Sequence, residues 1–386
     1  MKKLTALICA INCLVLCSCS GGSIYSNYRE VEQLMMIQAM GFDRCDGGVE
    51  LSVSSGTGGL SGQGESEGGG QIVRMSAAAE TLLTAQELIQ DYSASEELFF
   101  AHTSYIVIGS DALSDGLEYY LDYIERNETF RLDIPVFAAS GGSAKELVVG
   151  TGSDSYDAVN VLRSIERNLG VRGDGHLYTA GEIAADLNVN GSALICAVKT
   201  VPVGETIKDA SEGEQTAVFD GYAVIGGGRA IAQLNAHDAL AVNLLLNRSG
   251  PSMIAVEAED ITATLQLDDS SCDITPIFDG DELCGLNVSL KVSAALSEYR
   301  GEPDIKELNR AFERDLHSRV DAALTLSRET GCDFMQLGAL LQKQQPLTMS
   351  GMDTELQRLL PNLYIYINVE TEIDRGFVLN RPEVGK

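Results

Sequence analysis

The sequence has no tryptophan, only four histidines in 386 residues, and 27 Lys and Arg against 56 Asp and Glu. Each shortage excludes something. Without tryptophan, a sugar-binding site lacks its best stacking platform. His102, His176, His237 and His317 stand far apart in sequence, so no H-E-x-x-H pair exists, and no Walker motif occurs either. The formal net charge of −29 repels phosphate, which argues against nucleic acid as a partner. It also repels anionic headgroups, so no polybasic patch holds this chain on a membrane. Past the N-terminus, no apolar run approaches the ~20 residues of a spanning helix.

The 13 residues Leu4 to Leu16 are apolar apart from Thr5 and Asn12, and they follow Lys2 and Lys3. A charged start before a short apolar core reads as an export signal over residues 1–18 rather than as a membrane span. The run ends in Leu16-Cys17-Ser18-Cys19, which resembles the bacterial lipobox. In that reading Cys19 becomes the first mature residue and carries a diacylglycerol. The competing reading is ordinary secretion with cleavage after Ser18 or Ser20. Two acyl chains anchor stably where one does not, so the lipid supplies the whole membrane attachment.

Five further cysteines, Cys45, Cys196, Cys272, Cys284 and Cys332, form no CxxC, and an odd number cannot all pair within one chain. One bridge between Cys272 and Cys284 is left open beside the preferred reading of buried free thiols. Paired acids such as Glu96 and Glu97, or Asp268 and Asp269, arise by chance among 56, and His317 falls on the polar side of a helix. No catalytic, metal or cofactor site emerges, and the chain reads as a non-enzyme.

The mature chain is long enough for two or three domains. "CDGG" sits between the segment 31–44 and the strand "VELSVSS" and supplies hairpin residues. In residues 56–70 eight of fifteen are glycine, which reads as a flexible hairpin tip. Thr84 and Glu87 have capping-box spacing for a helix over 84–95. Residues 115–127 are amphipathic, with Leu117, Tyr120, Leu121 and Ile124 on one face. Gly226 to Arg229 reads as a hairpin turn rather than a dinucleotide loop, because Ile231 is too bulky at the sixth position of G-x-G-x-x-G. "MIAVEAEDITATLQL" and "LNVSLKVSAAL" alternate as long antiparallel strands. A helix runs from Pro303 and Asp304 to Gly331, Asp333 caps a second, and "NLYIYINVETEI" is a strand. The organisation expected is an N-terminal α/β unit over 19–205, a linker over 206–216, and a C-terminal α/β unit over 217–386. The last is either one domain or split near 256. The fold class is mixed α/β (α+β), with antiparallel and mixed sheets packed with helices.

Several segments together resemble the Ger(x)C spore germination lipoproteins. "REVEQLMMIQAMGFDR" after the lipobox is similar to that family's opening, with Arg29, Glu30, Gly41 and Asp43 at the matching positions. The stretch from "FFAHTS" to "DIPVFAAS" resembles its middle N-domain segment, including Arg126, Glu128 and Arg131, and "GCDFMQLGALLQKQQP" with "LLPNLYIYINVETEIDRGF" its C-terminus. The resemblance implies three domains and a non-enzymatic subunit of a nutrient-germinant receptor. It implies a place on the outer face of the spore inner membrane, beside a permease-like multispanning subunit and a third, partly soluble subunit. No small-molecule ligand is carried over, and Cys19 alone transfers with a role. The rival reading is a solute-binding lipoprotein feeding a transporter, which requires two similar lobes around a polar cleft.

Overall fold

A computed structural model describes residues 34–55, 72–93, 97–150, 156–202, 215–258, 261–300 and 304–374. Cys19, Arg29, Glu30 and the glycine-rich insert 56–70 lie outside them. The chain opens with strands β1 (Leu34–Met36), β2 (Ala39–Cys45), β3 (Gly48–Ser54) and β4 (Arg74–Ala79), followed by helix α1 (Leu82–Tyr92). Then come β5 (Glu97–Phe99), β6 (Tyr105–Ile108), α2 (Ser110–Asp115), α3 (Glu118–Arg126), β7 (Val136–Ala139) and α4 (Ala144–Val148). Helices α5 (Ala158–Arg172) and α6 (Ala180–Asn190) precede β8 (Ser192–Pro202), β9 (Gln215–Gly226) and β10 (Arg229–Leu234).

These strands form one eight-stranded sheet in the order β10-β9-β8-β7-β6-β2-β3-β4, while β1 and β5 pair separately. Its centre is parallel, β2 with β6, β6 with β7 and β7 with β8, and its flanks are antiparallel. Parallel strands need helical cover on both faces. Helices α4 and α5 bury Leu147, Val148, Leu162 and Ile165 on one face against Val107 and Phe137. Leu117, Tyr120, Leu121 and Ile124 of the α3 region are all buried on the other, as the amphipathic spacing predicts.

The second half adds α7 (Ala236–Leu245), β11 (Met253–Ala258), β12 (Ile261–Asp279), β13 (Glu282–Arg300), α8 (Ile305–Thr330), α9 (Leu337–Gln344), α10 (Met352–Leu359), a 3-10 turn (Leu360–Asn362) and β14 (Tyr364–Asp374). Strands β11-β12-β13-β14 make a four-stranded sheet in which β14 joins β13 in parallel. Helix α8 buries Leu308, Phe312, Leu316, Val320 and Leu324 beneath it. Its ends are where the sequence puts them: the Asp304 side chain accepts from Lys306 N, and Gly331 follows the last turn.

Four details differ from the sequence expectations. Helix α1 starts a turn early: the Thr81 side chain caps it, accepting from Thr84 N at 3.2 Å, so Thr84 with Glu87 is not the cap. "MIAVEAEDITATLQL" is two antiparallel strands, with Ala258 opposite Ile261. Residues 215 and 216 of the expected linker already belong to β9. Strands β9 and β10 complete the N-terminal sheet, and Val256 lies inside β11. The β9–β10 turn is the expected hairpin: Gly227 and Gly228 take φ of 57° and 75°, which glycine adopts without strain.

All five described cysteines are free. Cys272 faces Leu290, whereas Gly285, the neighbour of Cys284, faces Ile277. Cys284 lies six residues along β13 from Leu290, about 20 Å at ~3.3 Å each, far beyond the ~7 Å limit for a disulfide. Burial pushes the Cys272 thiol up to about 12 and that of Cys196 higher still. Alkylation of the folded protein followed by peptide mapping is therefore expected to label Cys45 and Cys284, both half-exposed, and to spare Cys196, Cys272 and Cys332. Labelling of Cys196 in the native state would contradict the buried central strand.

Candidate functional site

Strand β2 carries the first candidate residues, Gly41 and Asp43, and both meet helix α4. Asp43 is buried, and its two carboxylate oxygens accept from Ala144 N at 2.7 Å and Lys145 N at 2.8 Å. Two of the orphan donors at the start of α4 are thus satisfied by a residue 101 positions away in sequence. Burial raises the Asp43 pKa above its ordinary value, and the two backbone hydrogen bonds pull the other way. The neighbouring Lys145 Nζ reaches Glu50 Oε1 at 2.6 Å. A Cβ on Gly109 would stand 2.0 Å from Asp43 Oδ1, and one on Gly41 would stand 3.1 Å from Ala144 Cβ and Val148 Cγ2. Glycine at both places lets helix and carboxylate approach the sheet. The G-x-D of the opening is a packing device.

The same end of the sheet carries a polar cleft of about 510 Å3, lined by Arg44, Glu80, Asp115, Glu118 and Arg229. Arg44 Nε lies 3.1 Å from Asp115 Oδ2, and Leu117 N donates to Gly228 O at 2.8 Å, which fixes the β9–β10 turn against the start of α3. Tyr120 lies at its floor, its hydroxyl pushed up to about 12 by burial and by Asp115. Beside it, Leu83, Tyr119, Tyr123, Arg126 and Glu128 line a second, more apolar groove. Arg126 pairs with Asp122 at 2.7 Å and Arg131 with Asp133 at 2.5 Å, all well exposed. The three charged residues singled out by sequence, Arg126, Glu128 and Arg131, do not converge on one site.

Nor does the structure assemble a reaction centre from the residues described. His176 Nε2 lies 3.6 Å from Glu182, and burial lowers its pKa. His237 sits between Asp238 (2.8 Å) and Asp315 (3.4 Å), with Arg319 donating to its carbonyl at 2.6 Å. His102 and His317 are exposed. Among the described residues no hydroxyl or thiol bonds to a histidine ring, and no three His, Cys, Asp or Glu side chains gather to hold a metal ion. Gly64 to Gly68 in the glycine-rich insert formally spells G-x-S-x-G. A nucleophile elbow requires strand, turn and then helix, whereas the element after the insert is strand β4. No described helix is long and apolar enough to cross a membrane.

The eight-stranded and four-stranded sheets are unlike in strand number and topology, so the described residues do not form the paired lobes that a hinged solute-binding protein requires. Residues 27–199 match the model of the spore germination protein N-terminal domain, and residues 220–376 match the spore germination B3/GerAC-like C-terminal model. Among solved structures, the crystal structure of the GerBC protein is similar in fold, with a TM-score of 0.52 at 16% identity, over 86% of this chain and 96% of that one. No curated protein matches.

Proposed function

Because this chain belongs to the GerAC-like spore germination family, we propose that it is the lipoprotein subunit of a nutrient-germinant receptor and contributes to receptor assembly and signalling rather than to catalysis. The observation that carries this reading is the pair of family models, which together span the chain from residue 27 to residue 376. The scattered histidines and acids supply no competing chemistry.

In this reading Cys19 carries the lipid and is the sole membrane attachment, which fits a chain of net charge −29, more negative still without Lys2 and Lys3, with no described spanning helix. The protein lies on the outer face of the spore inner membrane, beside a permease-like multispanning subunit and a third subunit. In this reading the linker ends before Gln215, where β9 begins, and it separates an N-terminal α/β unit from a C-terminal one whose first strands, β9 and β10, complete the first sheet. Cys19→Ala tests the anchor. The wild-type chain is expected in the membrane fraction of broken spores, resistant to high-salt washing, and the variant in the supernatant. Retention of Cys19→Ala on the membrane would remove the lipid from the account.

A further inference from the structure

Among the described residues the four-stranded sheet has two long edges without a strand neighbour, and the fold treats them differently. Strand β12 runs to Asp279, but β11 pairs only with residues 261–266 of it. Beyond that point Asn247 stands in for a strand: its Nδ2 donates to Cys272 O at 2.9 Å, and Cys272 N donates to its Oδ1 at 2.7 Å. Backbone groups of alternate residues point to the same side of a strand. Pro276 therefore shares the outward orientation of Cys272 and offers no N–H there. Side-chain plugs and proline are how proteins close an edge.

Strand β14 carries neither device along most of its length. It pairs with β13 over residues 364–374, and no described strand lies on its other side. Thr371 O accepts from Asn309 Nδ2 of α8 at 3.0 Å, so the Thr371 backbone is turned away from β13. The same alternation turns Ile365, Ile367 and Val369 outward. No proline interrupts the strand. Its two faces differ as well. Ile365 and Ile367 are half-buried against the core, whereas Tyr364 and Tyr366 are 69% and 59% exposed and lead into Glu370, Glu372 and Asp374.

We propose that this edge accepts an extended segment of a different protein as a fifth strand, by β-augmentation. The segment alternates apolar residues, which extend the Ile365 and Ile367 side, with Lys or Arg beside Glu370 and Glu372. A second copy of this chain is disfavoured as the occupant. It would bring the same acidic strand, on a chain of net charge −29. The proposal stands on the geometry of the sheet and not on the germination reading, so either can fail alone.

The test uses the full chain purified in detergent and a seven-residue peptide of alternating valine and lysine. Amide hydrogen exchange at Ile365, Ile367 and Val369 is expected to slow when the peptide is added. The same peptide with its pairing edge N-methylated keeps its charge and is expected to bind at least about tenfold more weakly, as is the plain peptide to Ile367→Pro. A valine–glutamate peptide should not bind. The proposal is overturned if protection appears along β12 or nowhere, or if the N-methylated peptide binds as well as the plain one. Concentration-dependent protection of β14 without peptide would make a second copy the occupant and overturn it too. Should Ile367→Pro not fold, the N-methylated peptide decides.

Discussion

Asp43→Ala is expected to destabilise the folded chain by roughly 2–4 kcal/mol, because two backbone N–H groups, the buried one of Ala144 and the half-buried one of Lys145, lose their acceptor at once. Asp43→Asn should be milder, since one carbonyl oxygen remains and the charge that burial disfavours is gone. Gly109→Ala attacks the same contact from the other side. Its new Cβ, 2.0 Å from Asp43 Oδ1, forces helix α2 or the carboxylate to move, and neither is free. The two changes share one cause, so they should not add. In Asp43→Ala the clashing oxygen is absent, and Gly109→Ala should then cost at least 1 kcal/mol less than in the wild type. Denaturant unfolding followed by far-UV circular dichroism measures this, since the chain has no tryptophan to report. Strict additivity would mean that the carboxylate and Gly109 are not in contact.

Asp333 carries the second large effect. It is fully buried, and its carboxylate accepts from Leu337 N and Gly338 N, each at 2.8 Å, at the start of α9. Asp333→Ala removes both acceptors and is expected to cost roughly 2–4 kcal/mol. Burial pushes the Asp333 pKa up to about 6 against the pull of those hydrogen bonds, and burial moves Asp186 to about 6 as well, with the Asp333 charge adding to it. An acid whose folded pKa is raised binds its proton more tightly in the folded state than in the unfolded state. Between the ordinary value near 3.8 and about 6, stability therefore falls as pH rises. Two pH units at 1.36 kcal/mol each set the scale for Asp333 at up to about 3 kcal/mol. The unfolding midpoint should thus rise on acidification from pH 7 to 5, and Asp333→Asn, which cannot titrate, should flatten part of that rise. An identical slope in wild type and Asp333→Asn would show that the Asp333 carboxyl titrates alike in the folded and unfolded chains.

Where the sequence was legible, the signal was local. Asp304 and Gly331 bracket α8 because capping is decided by the residue at the end of the helix. "CDGG" and Gly227-Gly228 mark hairpins because the turn itself demands glycine. The β11–β12 break was not legible, since the sequence offers Glu259 and Asp260 there and the period of two runs on through both strands. Nor was the parallel order of β8, β7, β6 and β2, or the pairing of β14 with β13, legible. Those depend on crossovers between segments tens of residues apart. Gly41 and Asp43 could be picked out as letters, but their partners Gly109 and Ala144 lie about 70 and 100 positions downstream. Nothing in the local pattern couples them. The open edge of β14 is legible only by contrast with the plugged edge of β12, and that contrast exists only in the folded sheet.

Affinity purification of a tagged copy from detergent-solubilised spore membranes addresses the receptor reading itself. A permease-like multispanning protein is expected to co-purify with the wild-type chain. Absence of the chain from spores, or recovery of transporter components in place of that partner, would contradict the assignment to a germinant receptor.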